Sequence, residues 1–351
     1  MKILLIADEH PEGLLNLQAL MQRLVLKHRN CRISLLAPKA LHSLARRLPL
    51  LDELLVLPEA DVHFKYFWWA GRQLESYHFD QAIVLTRRWK PALIPTLSGV
   101  ERRTGWLGRL RFILLNDARL LNSKQFATER QQYLALADDH GEAVTELPEP
   151  ELFADAEQGQ ALLQSHYLQD DIQDDKPVAL FCPAATLANN QRWPVRNWSQ
   201  LAAELISQGW VIWLMAPKAE QALCEQICAG LDREQQMSIS NLAGRLAWEE
   251  MIDLMAFSRV VVAQDRLFSQ FALALKQPLI ALSGTSGLQE FMPVDQPEKS
   301  RSVRSDLYCQ PCEPSTCHLA RGNQTAPCVE ALTVARVKAA VMSMVPVQAL
   351  D

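Results

Sequence analysis

Two spacings of apolar residues alternate along this chain. Short continuous apolar runs lie at residues 2–7, 32–36, 53–57 and 81–85, with a weaker one at 112–114. Between the first two, Leu14, Leu17, Leu20, Met21, Leu24 and Val25 recur at helical spacing, and a further helix is expected at about 39–49. The second half repeats the theme, with strands expected at 177–182, 211–215, 238–241, 260–263 and 279–282. Helices are expected between them at about 196–208, 218–230, 247–257 and 266–275. Continuous apolar strands separated by helices imply parallel sheets covered on both faces, so the fold class is α/β with two Rossmann-like, doubly wound domains.

A chain of 351 residues has room for two such domains. The acidic, polar segment 149–176 holds the boundary, which divides the chain into residues 1–160 and 161–351. Ligands of doubly wound sheets bind outside the carboxyl ends of the strands, which suggests a ligand on each domain and a cleft between them. No apolar run reaches the roughly 18–20 residues that span a bilayer. The opening Met1-Lys2-Ile3-Leu4-Leu5-Ile6 is too short for a signal-peptide core, and Asp8 and Glu9 follow it. The expected location is the cytoplasm.

Charge changes the picture more than composition does. The net charge is −5, yet residues 1–150 carry 20 Lys and Arg against 17 Asp and Glu, leaving 15 against 23 in the remainder. Within 86–119, eight cations (Arg87, Arg88, Lys90, Arg102, Arg103, Arg109, Arg111, Arg119) face two acids (Glu101, Asp117). This excess suits an anionic partner, a phosphorylated glycolipid or a membrane surface, or else forms a solvated basic face. No nucleic-acid recognition motif accompanies it. The stretch His63-Phe64-Lys65-Tyr66-Phe67-Trp68-Trp69 is unusually aromatic. It reads as a helix packed on the sheet, as a membrane-interface contact, where Trp and Tyr are favoured, or as acceptor-site lining.

Several motifs together carry a family resemblance. In the first half these are Phe79-Asp80-Gln81-Ala82-Ile83-Val84-Leu85, Ala92-Leu93-Ile94-Pro95, Arg103-Thr104-Gly105-Trp106 and Leu114-Leu115-Asn116-Asp117. In the second half they are Arg192-Trp193-Pro194 with Asn197-Trp198, the turn Asn241-Leu242-Ala243-Gly244, the segment 260–275, and Pro278 to Thr285. In order and spacing this series resembles the ADP-heptose:lipopolysaccharide heptosyltransferases of glycosyltransferase family nine, nearest the heptosyltransferase II type. The resemblance implies a GT-B architecture and inverting transfer of heptose from ADP-heptose to an anionic inner-core sugar of lipopolysaccharide. It further implies an enzyme peripheral to the cytoplasmic surface of the inner membrane. A carboxylate would take the acceptor proton, and cations and helix N-termini would stabilise the departing diphosphate. No D-x-D motif is present, and no catalytic cofactor or metal is expected.

The site positions are altered. The family's first loop carries Gly-Asp, with the Asp as base; here those positions are Glu12 and Gly13. Glu12, Asp8 and Glu9 are the candidate replacements, with solvated acids at a helix N-terminus as the alternative. The family's phosphate-contacting Lys aligns with Gln191, beside Arg192. Its small D-S-G loop is Asp265-Arg266-Leu267 here, and its His is Gln270. Glu220 matches an acidic position suited to the nucleotide ribose. Thr186, Gln191, Arg192, Glu220, Asp265, Arg266 and Gln270 are thus the donor-side candidates, and Arg87, Arg88, Lys90 and Arg103 the acceptor-side ones. Changes concentrated at the site fit either a changed nucleotide sugar or a catalytically silent GT-B homologue in envelope glycan assembly.

Cys309-x2-Cys312-x4-Cys317-x10-Cys328 precedes the C-terminal helix. Four thiolates at this spacing suit a tetrahedral structural site for Zn²⁺ or iron within 284–327, where no regular element is expected. Free thiols and a reversible disulfide are the alternatives.

Overall fold

The computed structural model describes residues 1–58, 63–108, 110–138, 148–173, 176–183, 191–283, 299–305, 307, 317, 319 and 325–344. The chain divides into two compact units, Met1–Phe153 and Ala154–Asp351.

The first unit runs β1 (Lys2–Ile6), α1 (Pro11–Lys27), β2 (Arg32–Pro38), α2 (His42–Ala45), β3 (Glu53–Leu57) and α3 (Phe64–Gln73). It continues with β4 (Gln81–Val84), α4 (Lys90–Leu97), β5 (Arg102–Trp106), α5 (Arg111–Leu114), β6 (Asp117–Arg119) and α6 (Glu129–Leu134). Its six strands lie in the order β3-β2-β1-β4-β5-β6, every neighbouring pair parallel. The order reverses at β1, the doubly wound switch point, so the loops after β1 and β4 open at one crevice. Leu4, Ile6, Leu36, Ala82 and Val84 form the core under that edge with Phe67 of α3 and Ile94 of α4.

The second unit runs α7 (Ala156–Ser165), α8 (Gln169–Gln173), β7 (Val178–Cys182), α9 (Val195–Ile206), β8 (Val211–Leu214), α10 (Gln221–Ala229) and β9 (Ile239–Asn241). Then come α11 (Trp248–Met255), β10 (Val260–Ala263), α12 (Arg266–Ala274), β11 (Leu279–Ser283), β12 (Ser300–Arg304), α13 (Pro327–Glu330) and α14 (Val334–Met344). The strand order is β12-β11-β10-β7-β8-β9, again all parallel. Every residue of β7, β8, β10 and β11 is buried, as expected of strands covered on both faces. Val334, Val337 and Val341 bring α14 into this unit's own core.

Two sequence expectations are corrected. Residues 112–114 are not a strand: they belong to the single turn α5, where Phe112 and Ile113 point to solvent. The strand at this point is Asp117–Arg119, three residues on. The segment 284–327 was expected to lack regular structure, yet Ser300–Arg304 pairs with all of β11 as an edge strand.

Candidate functional site

At the carboxyl edge of the first sheet, β1 delivers the chain into the turn Asp8–His10, and Pro11 starts α1. The Asp8 Oδ1 accepts the Glu9 N–H at 2.8 Å. The Glu9 carboxylate is held by Arg88 Nη1 at 2.6 Å, tying the β1 loop to the β4 loop. Glu12 stands half-buried in the first turn of α1, where a carboxylate also favours the helix dipole.

Gly13 identifies the acid best placed on this edge. A Cβ at position 13 would lie 3.3 Å from the Tyr133 hydroxyl and 3.7 Å from the Asp8 Cβ. A carboxylate on residue 13 would therefore emerge beside Asp8, so Asp8 stands next to the place the family's Asp would occupy. Around it, Tyr133 Oη donates to Glu129 Oε1 at 3.2 Å, and Asn16 Nδ2 donates to Glu129 Oε2 at 2.7 Å. Burial raises the Tyr133 hydroxyl well above its ordinary range, and the charges of Glu129 and Asp8 add to this. Tyr133 therefore stays protonated here and donates to Glu129.

The cations are sorted by the fold. Arg87 donates to Gln132 Oε1 at 3.1 Å and Arg88 holds Glu9, so both belong to the Asp8 edge. Lys90, at the start of α4, lies 5.9 Å from the Phe67 ring. The structure does not bring Arg103 to this group. It sits near the start of β5, and its guanidinium donates to the backbone oxygens of Leu114 and Val100, each at 2.7 Å. Arg111, one of the eight cations of the basic segment but not among the acceptor-side candidates, is completely buried and donates to the Val84 oxygen at 3.0 Å, at the carboxyl end of β4. Burial, followed by the charge of Arg87, lowers its guanidinium to about 10, which leaves it cationic at neutral pH. It adds fixed positive potential beneath the edge.

At the carboxyl edge of the second sheet, Gln264 organises the site, and no motif pointed to it. Its Oε1 accepts the Trp193 N–H at 2.8 Å, and its Nε2 donates to the Gln191 oxygen at 2.9 Å. The buried Gln191 therefore serves through its backbone, while Arg192 is carried between two clamped neighbours. Trp193 is locked further by its indole N–H on the Leu332 oxygen at 2.6 Å and by edge-on packing against Trp198. Asp265 caps α12: its Oδ1 accepts the N–H groups of Leu267 at 2.8 Å and Phe268 at 3.2 Å. Those backbone donors are thereby occupied by the protein's own carboxylate.

Glu220 ends the turn after β8. That turn is braced by Gly244, whose φ is +72° and where a Cβ would lie 3.0 Å from the Lys218 Cα. Burial raises the Glu220 carboxyl; Arg192 opposes this and Asp265 reinforces it, so the three charges share one edge. Arg266 opens α12 half-buried. Gln270 is 1% exposed, and among the described residues neither of its carboxamide atoms has a partner. Thr186, Cys309 and Cys312 lie outside the described residues. Cys317 is half-buried and Cys328 buried. Among the described residues there is no group of three or more metal-ligating side chains, and no helix is long and apolar enough to cross a membrane.

Two Rossmann-like units define the class: a GT-B glycosyltransferase fold, with a carboxylate and arginine edge on one sheet and an Arg192, Glu220 and Asp265 edge on the other. The chain belongs to glycosyltransferase family 9 (heptosyltransferase), which it matches over residues 68–321. It is 31% identical to lipopolysaccharide heptosyltransferase 2 of Salmonella typhimurium (strain LT2), covering 87% of this chain and 88% of that protein. It is 30% identical to lipopolysaccharide heptosyltransferase 2 of Escherichia coli (strain K12), with the same coverage of 87% and 88%. Among solved structures, it is similar to E. coli ADP-heptose lipopolysaccharide heptosyltransferase II, with a TM-score of 0.83 and 26% identity over 98% of each chain.

Proposed function

We propose that this chain is an active inverting glycosyltransferase, moving heptose from ADP-heptose to an anionic inner-core sugar of lipopolysaccharide at the cytoplasmic surface of the inner membrane. The observation that carries activity, as opposed to a silent fold, is the position of Asp8 beside the vacated residue 13. Asp8 takes the proton of the acceptor hydroxyl as the sugar's anomeric carbon parts from the diphosphate. Arg87 and Arg88 hold the anionic acceptor against this edge, and the buried Arg111 adds positive potential beneath it. On the donor side, Glu220 accepts from the ribose hydroxyls. Because Asp265 occupies the first amides of α12, charge on the departing ADP is met by the side chains of Arg192 and Arg266, not by loop backbone.

Calorimetric titration with ADP-heptose tests the donor side. Saturable binding is expected, weakened roughly 10- to 100-fold by Arg192→Ala, the range for losing a charge-assisted contact. A folded protein that shows no binding at millimolar ligand sinks this reading and leaves a different nucleotide sugar or a silent homologue.

We further propose that Cys309, Cys312, Cys317 and Cys328 hold one structural Zn²⁺ or iron. The support is chemical and positional: the set is all thiolate, and Cys317 and Cys328 both pack against the second unit's core. Elemental analysis should find one metal per chain, and Cys328→Ser should lower both metal content and melting temperature. Metal-free protein with unchanged stability would refute this.

A further inference from the structure

We propose that α3 is a docking surface for an anionic lipid bilayer; this rests on the reading that the acceptor is a membrane glycolipid. The helix has a single anchoring stripe. Phe67 joins the first unit's core, and Gly71 lets α4 approach so closely that a Cβ there would lie 2.7 Å from the Leu97 Cβ and 3.0 Å from the Ile94 oxygen. At 100° per residue the rest of the helix turns away from that stripe. Trp69 is 59% exposed and Trp68 47%, and Phe64 and Tyr66 are similarly bare. Four large rings on ten residues exceed the scattered apolar side chains of an ordinary surface.

Charge selects the partner. Residues 64–77 carry Lys65, Arg72 and Glu75; Arg72 pairs with Glu75 at 3.2 Å, so the net positive charge of the segment is that of Lys65. Lys65 Nζ lies 5.4 Å from the Tyr66 ring, so cation and aromatic share one relief. On the far side of α4, the Thr96 hydroxyl reaches the Leu114 oxygen of α5, whose Phe112 and Ile113 are also exposed. Trp89 is exposed as well, beside Lys90, and the Arg87–Arg88 pair precedes them. These exposed rings lie on α3, on α5 and just before α4, and α4 packs against both of the other helices. Indole and phenol rings with an apolar body and a polar handle favour the headgroup level of a bilayer, and interleaved cations favour anionic lipid. A second copy of the chain suits this face poorly, because a two-fold contact sets the same net-positive face against itself.

Cosedimentation with vesicles is the test. The whole protein should bind vesicles of phosphatidylglycerol mixed with phosphatidylcholine much better than pure phosphatidylcholine, and added salt should weaken the binding. Trp68→Ser with Trp69→Ser should lower partitioning by roughly tenfold or more, through lost apolar burial. Lys65→Ala should lower it roughly fivefold. Melting temperature and ADP-heptose titration should not move in either variant. Equal binding to neutral vesicles, or undiminished binding by the double variant, overturns the proposal. Self-association that vanishes in the double variant would overturn it too, assigning the face to a second copy. Donor binding is read in a separate titration, so its failure refutes the transferase reading and not the docking surface.

Discussion

Asp8→Asn is expected to lower kcat by roughly 10²- to 10⁴-fold, the range for losing a positioned general base. The change is isosteric, and an Asn oxygen still accepts the Glu9 N–H that Asp8 accepts now. Melting temperature and ADP-heptose affinity should therefore stay near those of the unaltered protein, placing the loss in chemistry. Glu12→Gln supplies the contrast. Glu12 lies one residue before the vacated position, but α1 turns about 100° per residue, so adjacent side chains leave the helix in different directions. The geometry at Gly13 points to Asp8, and the Glu12 variant should lose less than tenfold. A third variant closes the argument. Gly13→Asp in the Asp8→Asn background puts a carboxylate back beside the Tyr133 hydroxyl, where its Cβ has 3.3 Å. Partial recovery is expected. If Glu12→Gln is the crippled enzyme and Asp8→Asn turns over normally, the assignment is reversed.

The fold was largely legible because buried parallel strands are written as continuous apolar runs. Val178–Cys182 and Val260–Ala263 are apolar at every position, and nothing but a two-sided sheet would bury them so completely. Legibility fails where a strand lies at an edge. Ser300–Arg304 offers one apolar residue in five, because its place at the rim leaves most side chains unneeded by the core, while its backbone pairs with β11 along the whole strand. The error at 112–114 has the opposite origin: three apolar residues in a row mimic a strand, but Phe112 and Ile113 serve no core.

The site was legible as a set of departures and less so as a geometry. That Gly13 lacks the family's carboxylate is visible in the letters; that Asp8, five residues earlier, faces the same space depends on the turn through Pro11. Likewise, a count of arginines cannot tell Arg103, whose guanidinium is committed to backbone oxygens, from Arg88, which bridges two loops. Gln264 carries no charge and falls on an unspecified position of the segment 260–275, yet it fixes where Arg192 stands. Side-chain clamps on backbone are invisible until the loops are placed.

Asp117→Asn is expected to cost about 3 kcal/mol at neutral pH, the lower end for removing one partner of a buried ion pair. The carboxylate joins three strands. Its Oδ2 accepts from Arg119 Nη2 at 3.0 Å, from Arg102 Nη2 at 3.0 Å and from the Thr104 hydroxyl at 2.9 Å, and Thr104 in turn accepts from Gln81 Nε2 at 2.9 Å. The side chains of Arg119 and Asp117 are only 5% and 12% exposed, so solvent screens little of the attraction. Burial by itself would raise the Asp117 carboxyl, but the hydrogen bonds from Arg119, Thr104 and Arg102 and the Arg119 charge outweigh it and hold the group at about 2. An unfolded Asp titrates near roughly 3.9. Because the folded value is the lower one, the stabilisation is fully present above about pH 4 and is lost as pH falls through about 2. Its linkage part is about 2.5 kcal/mol. In the variant the one remaining oxygen is uncharged and accepts fewer of these donors, while Arg119 keeps its bonds to the oxygens of Ala135 and Asp138. The melting temperature of the first unit should fall by roughly 6–12 °C at pH 7. The gap between the two proteins should narrow as melting is repeated towards pH 2. A gap that is constant with pH would assign the loss to packing and remove the ion pair from the account.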